Sequence, residues 1–104
     1  MAARLIAMYK RPADEAAFNA RYFPAHLDLV KQLPGLQRIE VMRGLGKEAP
    51  YWMMTQMTFK DRDALMAAVG SPEANATIAD VQEFAGDIVT ILLADERESW
   101  EPGE

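Results

Sequence analysis

The chain carries a single histidine, His26, inside the run FNARYFPAHLDLVKQLPGL from Phe18 to Leu36, where most of its neighbours are apolar. An imidazole is the side chain that titrates near neutrality without help, so in such a place it can serve as general acid, general base or donor to a ligand carbonyl. An imidazole buried without a carboxylate beside it favours its neutral, base-competent form. Tyr22, four residues earlier, falls on the same side of a helix and can either hydrogen-bond to His26 or line the same cavity. His26 and Tyr22 are therefore the candidate catalytic pair. Phe18, Tyr9, Tyr51 and Trp52 are the candidate aromatic walls of a ligand pocket, and for each of them plain core packing is the simpler role. His26 itself has a bland reading too, as a core histidine with one ring nitrogen satisfied by a carbonyl or a tyrosine.

Other chemistries find less support. With no cysteine, thiolate metal sites, cysteine nucleophiles and disulfides are excluded, and one histidine leaves only carboxylates to complete a metal site, so none is expected. Heme with His26 as axial ligand is a weaker reading, and no cofactor is expected. The segment GLGKEAP lacks the spacing of a phosphate-binding loop and joins two strands, so it reads as an exposed hairpin loop. Ser71 is a helix cap and Ser99 lies in an acidic tail, so neither forms a nucleophile arrangement with His26.

The elements that must position these residues follow from pattern and punctuation. Arg4 to Tyr9 reads as a strand. Asp14 caps a helix through Phe18 and Tyr22, which Pro24 must kink or break because it removes a backbone donor and crowds the carbonyl of Ala20. The pattern resumes through His26, Leu29, Val30 and Leu33 and stops at Pro34-Gly35. At about 100° per residue, Phe18, Tyr22, His26, Leu29, Val30 and Leu33 share roughly a third of the helix circumference, with Arg21, Asp28, Lys31 and Gln32 elsewhere. Leu36 to Arg43 and Tyr51 to Phe59 are the next two strands. Asp61 caps a short helix, Ser71-Pro72-Glu73 starts another that runs to about Phe84, and Ile88 to Ala94 is a last, buried strand.

The order β-α-β-β-α-β is the ferredoxin-like arrangement, an α+β fold with a four-stranded antiparallel sheet and its helices on one face. The strands are apolar in both registers: Leu5, Ala7 and Tyr9 alternate with Ile6 and Met8, and Val89, Ile91 and Leu93 with Ile88 and Leu92. A sheet with one wet face should alternate apolar and polar, so the face without helices needs a partner, and a homodimer through that open face is the simplest one. Residues 1–104 form one domain, of which about 97–104 reads as a mobile tail with Trp100 as its one large aromatic.

Composition narrows the partners. Half of the 104 residues are hydrophobic, and six of the seven methionines fall in strands or helices, where a flexible thioether adapts to irregular gaps. The net charge of −5, with acids gathered at Asp95, Glu96, Glu98, Glu101 and Glu104, argues against nucleic acid as partner. No segment has the form of a secretory signal or the length of a membrane span, so a soluble cytoplasmic protein with no membrane contact is expected.

Tyr22, His26, Leu29, Leu33, Pro34, Gly35 and Leu36 stand at the spacing Y-x3-H-x2-L-x3-L-P-G-L. Together with Phe18, Ser71-Pro72-Glu73, Phe84 and the residues Asp87 to Thr90, this resembles the EthD family of the dimeric α+β barrel superfamily, over nearly the whole chain from Arg4 to about Glu96. Asp28 departs from the usual motif, which commonly has proline there. The family is named for a protein linked to ethyl tert-butyl ether degradation, and related domains in polyketide pathways look like dehydratases or decarboxylases. Neighbouring families include cofactor-independent monooxygenases, isomerases and heme-degrading enzymes. The resemblance thus implies a small dimeric protein that binds a hydrophobic, aromatic or carbonyl metabolite, with oxygenase, dehydratase or isomerase chemistry and His26 as acid or base. The alternative it leaves is a non-catalytic ligand-binding or accessory protein of a catabolic or biosynthetic pathway.

Overall fold

The computed structural model describes residues 1–103. Its strands are β1 (Ala3–Tyr9), β2 (Arg38–Arg43), β3 (Met53–Phe59) and β4 (Val89–Asp95), and its helices are α1 (Glu15–Arg21), α2 (Leu27–Val30), α3 (Arg62–Val69) and α4 (Pro72–Ala85). The strands form one antiparallel sheet in the order β2-β3-β1-β4. This is the ferredoxin-like arrangement, with each expected helical region divided in two.

Local chemistry sets the boundaries. The carboxylate of Asp14 accepts from the amide of Ala17, that of Asp61 from Ala64, and the Ser71 hydroxyl from Ala74. Each satisfies a donor that a helix start leaves without an intrahelical partner. The first helical region breaks at Pro24. Phe23, the residue before it, adopts an extended conformation (φ −112°, ψ 120°), and residues Tyr22–His26 form a wide π-type turn between α1 and α2. Crowding by the proline ring disfavours the helical conformation for the preceding residue, which accounts for the break. Gly35, with φ +76°, closes the region in the left-handed conformation that glycine adopts without steric cost.

Two expected strands begin later than the pattern suggests, β2 at Arg38 and β3 at Met53. The residues left out remain tethered: the Trp52 amide donates to the Tyr9 carbonyl at 2.7 Å and the Gln37 amide to the Thr58 carbonyl at 2.9 Å. In the loop between β2 and β3, a side chain at Gly44 would overlap the Tyr51 carbonyl, with a Cβ only 2.0 Å from its oxygen. The loop thus depends on glycine for its return path.

The register separates the two faces. Ala3, Ala7 and Tyr9 of β1 and Met53, Thr55, Met57 and Phe59 of β3 point under the helices and are buried. They join Phe18, Tyr22, Val30, Leu33, Leu65, Ala68, Ala74, Val81 and Ala85 in one core. Helical cover is centred on β1 and β3. The edge strand β4 projects beyond it, leaving Ile91 and Leu93 about half exposed although they share the inner face. On the outer face Ile6, Met8 and Met54 are half-buried and Leu92 is 48% exposed, with no helix over them. After β4 the ladder continues through a bond from the Glu96 amide to the Ala2 carbonyl and an ion pair between Arg4 and Glu96. Trp100 beyond it is exposed. No helix among the described residues is long and apolar enough to cross a membrane.

Candidate functional site

A cavity of about 290 Å³ lies between the helices and the inner face of the sheet. Leu5, Ala7, Tyr9, Thr55 and Met57 form its floor, Tyr22, His26, Val30 and Leu33 one wall, and Ala74, Thr77, Ile78, Val81 and Gln82 of α4 the other. Ile91 and Leu93 of β4, with the half-exposed Ile78, stand at its open side. The volume is near the lower end of small-molecule sites, about 300–1,000 Å³, and the lining has their usual character of apolar surface with a few convergent polar groups.

Two of those polar groups, Tyr22 and His26, sit on a single stretch of chain. The π-type turn carries Tyr22 and His26 at its two ends, so both rings reach the cavity across the helix break, with ring centroids 5.3 Å apart. The Tyr22 hydroxyl is hydrogen-bonded to the Thr55 hydroxyl, and both residues are fully buried. Burial pushes the Tyr22 phenol up to about 12, although its bonds to Thr55 and Tyr9 oppose the rise. Burial, reinforced by the nearby Tyr22, raises the Tyr9 phenol as well. Both are therefore neutral hydroxyls at physiological pH, able to donate to an oxygen of a ligand.

His26 is 3% exposed, and its Nδ1 lies 2.8 Å from Oδ2 of Asp80 on α4. The other oxygen of Asp80 accepts from Arg21 at 2.8 Å, and Arg21 also reaches Glu83 at 3.2 Å while its guanidinium lies over the Phe84 ring. Partial burial pushes the Asp80 carboxyl up, but the hydrogen bonds from Arg21 and His26 and their charges outweigh it and hold the group below its ordinary value of 3.8. Asp80 is thus a carboxylate at neutral pH. The case of an imidazole buried without a carboxylate does not apply to His26, because the approach of α4 to the π-type turn brings one within hydrogen-bond distance.

The candidate residues separate into two sets. His26, Tyr22 and Tyr9 share the cavity; Phe18, Tyr51 and Trp52 do not line it. Phe18 is buried behind Tyr22, stacked on it at 5.5 Å, with the edges of Trp52 and Phe84 packed against it. Tyr51 and Trp52 lie in the loop end beyond the sheet, since β3 begins at Met53. Sequence reasoning missed Asp80, Thr55 and the partnership of Arg21. A signal for Asp80 was present: Thr77, Asp80, Val81 and Phe84 follow the spacing of one helix stripe, which places a carboxylate beside apolar positions. Among the described residues no cluster of three metal-ligating side chains forms.

Residues 10–88 match the model of the EthD domain. The chain belongs to the EthD family. An uncharacterized 11.0 kDa protein from the thcB-thcC intergenic region of Rhodococcus erythropolis is 34% identical over 96 residues, covering 89% of this chain and 93% of that relative. A solved structure of an EthD family protein from Bacillus halodurans C-125 has 32% identity and a TM-score of 0.86 over 92% of this chain and 99% of its own. A dimeric ferredoxin-like protein of unknown function from Jannaschia sp. CCS1 shares the fold, with 19% identity and a TM-score of 0.66 over 92% of this chain and 100% of its own. Tyr22 and His26, which the helix break turns into the cavity, both lie within the matched residues.

Proposed function

We propose that this EthD-family chain binds a compact apolar compound bearing a carbonyl group and acts on it by acid/base chemistry at His26, without a cofactor. The observation that carries the reading is a lone imidazole and a neutral phenol, Tyr22, side by side in the wall of an otherwise largely apolar cavity. Either hydroxyl of the Tyr22–Thr55 pair can donate, and when Thr55 donates the phenol's own proton is free for a ligand carbonyl oxygen. His26 then removes a proton from the carbon next to that carbonyl. The C–H electron pair becomes the new carbon–carbon π bond, the carbonyl electrons move to the oxygen held by Tyr22, and the resulting imidazolium is stabilised by Asp80. With a ligand that carries a β,γ double bond, return of the proton from the imidazolium to the γ carbon gives isomerisation; with a β-hydroxyl, the enolate electrons form the α,β double bond and the imidazolium gives its proton to the departing hydroxide, which leaves as water.

The same reading includes a homodimer formed through the open sheet face. Ile6, Met8, Met54 and Leu92 make an apolar strip there that no helix covers, and a symmetric pair buries it on both copies. The dimeric description of the Jannaschia protein supports this arrangement.

Native mass spectrometry gives the subunit count and the mass of any retained compound. Deuterium uptake from heavy water into a panel of aryl ketones then reads proton abstraction directly. The expected result is a dimer that exchanges the proton next to the carbonyl, with His26→Ala abolishing exchange and keeping the dimer. Exchange that survives His26→Ala removes His26 from the chemistry. A second reading, binding without turnover, is favoured by the scarcity of titratable groups in the cavity wall; under it His26→Ala changes ligand affinity alone.

A further inference from the structure

A carboxylate only accepts hydrogen bonds, so the contact between Asp80 Oδ2 and His26 Nδ1 requires the proton on Nδ1. Nε2 has no hydrogen-bond partner among the described residues. Nor is it sealed from space, since the only fully occluded, unpartnered side-chain polar atom among those residues is Thr58 Oγ1. Nε2 is therefore the ring nitrogen left accessible, on a ring that lines the cavity. Asp80 in turn is fixed by its second oxygen, which Arg21 holds at 2.8 Å while the same guanidinium nitrogen also meets Glu83 at 3.2 Å.

We propose that Asp80, anchored by Arg21, is a positioning residue that locks the neutral His26 ring in the Nδ1–H tautomer and so presents Nε2 to the cavity as a proton acceptor. The site is then built to meet a ligand that offers a proton, such as an acidic C–H beside a carbonyl, an enol or a phenol. This deepens the reading of His26 as an acid/base group and rests on it for its catalytic meaning, while the tautomer itself can be measured whether or not a ligand binds.

Asparagine at position 80 keeps the shape and loses one acceptor. Arg21 is a donor only, so it claims the amide oxygen, and the amide NH2 is left facing Nδ1. Nδ1 must then accept, the proton moves to Nε2, and the cavity meets a donor instead of an acceptor. Removing Arg21 as well frees the amide to turn its oxygen back to Nδ1.

The test uses the intact protein with 15N-labelled histidine. A two-bond 1H–15N correlation at a pH where the ring is neutral gives one pattern, because the chain has one histidine. Wild type is expected as Nδ1–H, Asp80→Asn as Nε2–H, and Asp80→Asn with Arg21→Met as Nδ1–H again. An amide spectrum with native dispersion shows that each variant folds. A wild-type ring protonated at Nε2, or a ring unchanged in Asp80→Asn, overturns the proposal; a double variant that stays Nε2–H overturns the anchoring role of Arg21. In the deuterium-uptake assay, Asp80→Asn is expected to lose about 10²–10⁴-fold in rate with little change in KM. An absence of uptake by wild type bears on the proposed function and leaves the tautomer result standing.

Discussion

The inner and outer faces of the sheet are both apolar, yet they are held in different ways. On β1, Tyr9, Ala7 and Leu5 point inward to the cavity and core, while Met8 and Ile6, their neighbours in sequence, point outward. The inner face is covered by the chain's own helices over β1 and β3 and contains directional contacts: the Tyr22–Thr55 hydroxyl pair and the His26–Asp80–Arg21 chain. The outer strip has Ile6, Met8, Met54 and Leu92 with no cover, and only area to offer a partner. Specific geometry is therefore made within one subunit, and in the proposed homodimer the second copy would contribute burial to the face opposite the cavity. The comparison predicts that stability, assembly and chemistry can be perturbed separately.

The largest effect is expected from Phe18→Ala. It removes a ring that touches Tyr9, Tyr22, Trp52 and Phe84 and should cost about 3–5 kcal/mol in denaturant unfolding. Next, Ile6→Lys puts like charges on both copies of the outer strip and should weaken dimerisation by about 10²-fold, or roughly 2.7 kcal/mol, in sedimentation equilibrium. Its His26 ring signals should stay at their wild-type positions; if they move with dissociation, the two faces are coupled and the separation fails. Tyr22→Phe leaves the buried Thr55 hydroxyl without its partner and should lower stability by about 1–3 kcal/mol in thermal unfolding, with the dimer intact.

The smallest effects come from pH. The Asp80 carboxyl is held below 3.8 in the folded state, so its stabilising contribution is complete above that value and is lost as pH falls through the folded one. The Tyr22 phenol is raised from 10.0 to about 12, so its contribution is complete below 10.0 and disappears as pH rises through about 12. Stability measured across both windows should fall at each end, and Asp80→Asn should flatten the acid side alone.

Much of this architecture was legible in the sequence because its signals are local. Asp14, Asp61 and Ser71 each cap the helix that they precede, and the ring of Pro24 breaks the helix at Phe23. The pairing of Tyr22 with His26 in one cavity also followed from spacing. Asp80 did not, because it meets His26 across 54 positions and only the packing of α4 against the helix break joins them. Arg21 lay off the shared helix stripe for an unbroken helix, and it reaches Asp80 from α1, ahead of the break at Pro24. Tyr51 and Trp52 were aromatic in the right strand region, but aromaticity carries no information on which end of a sheet a cavity occupies.

The most exposed residues of the cavity lining are Ile78 on α4 and Ile91 and Leu93 on the edge strand β4. If the ligand enters beside these residues, along the rim of the sheet, every helix can stay in place. Uptake should be a single bimolecular step, with an observed rate that climbs linearly with ligand concentration and shows no plateau from a gating motion.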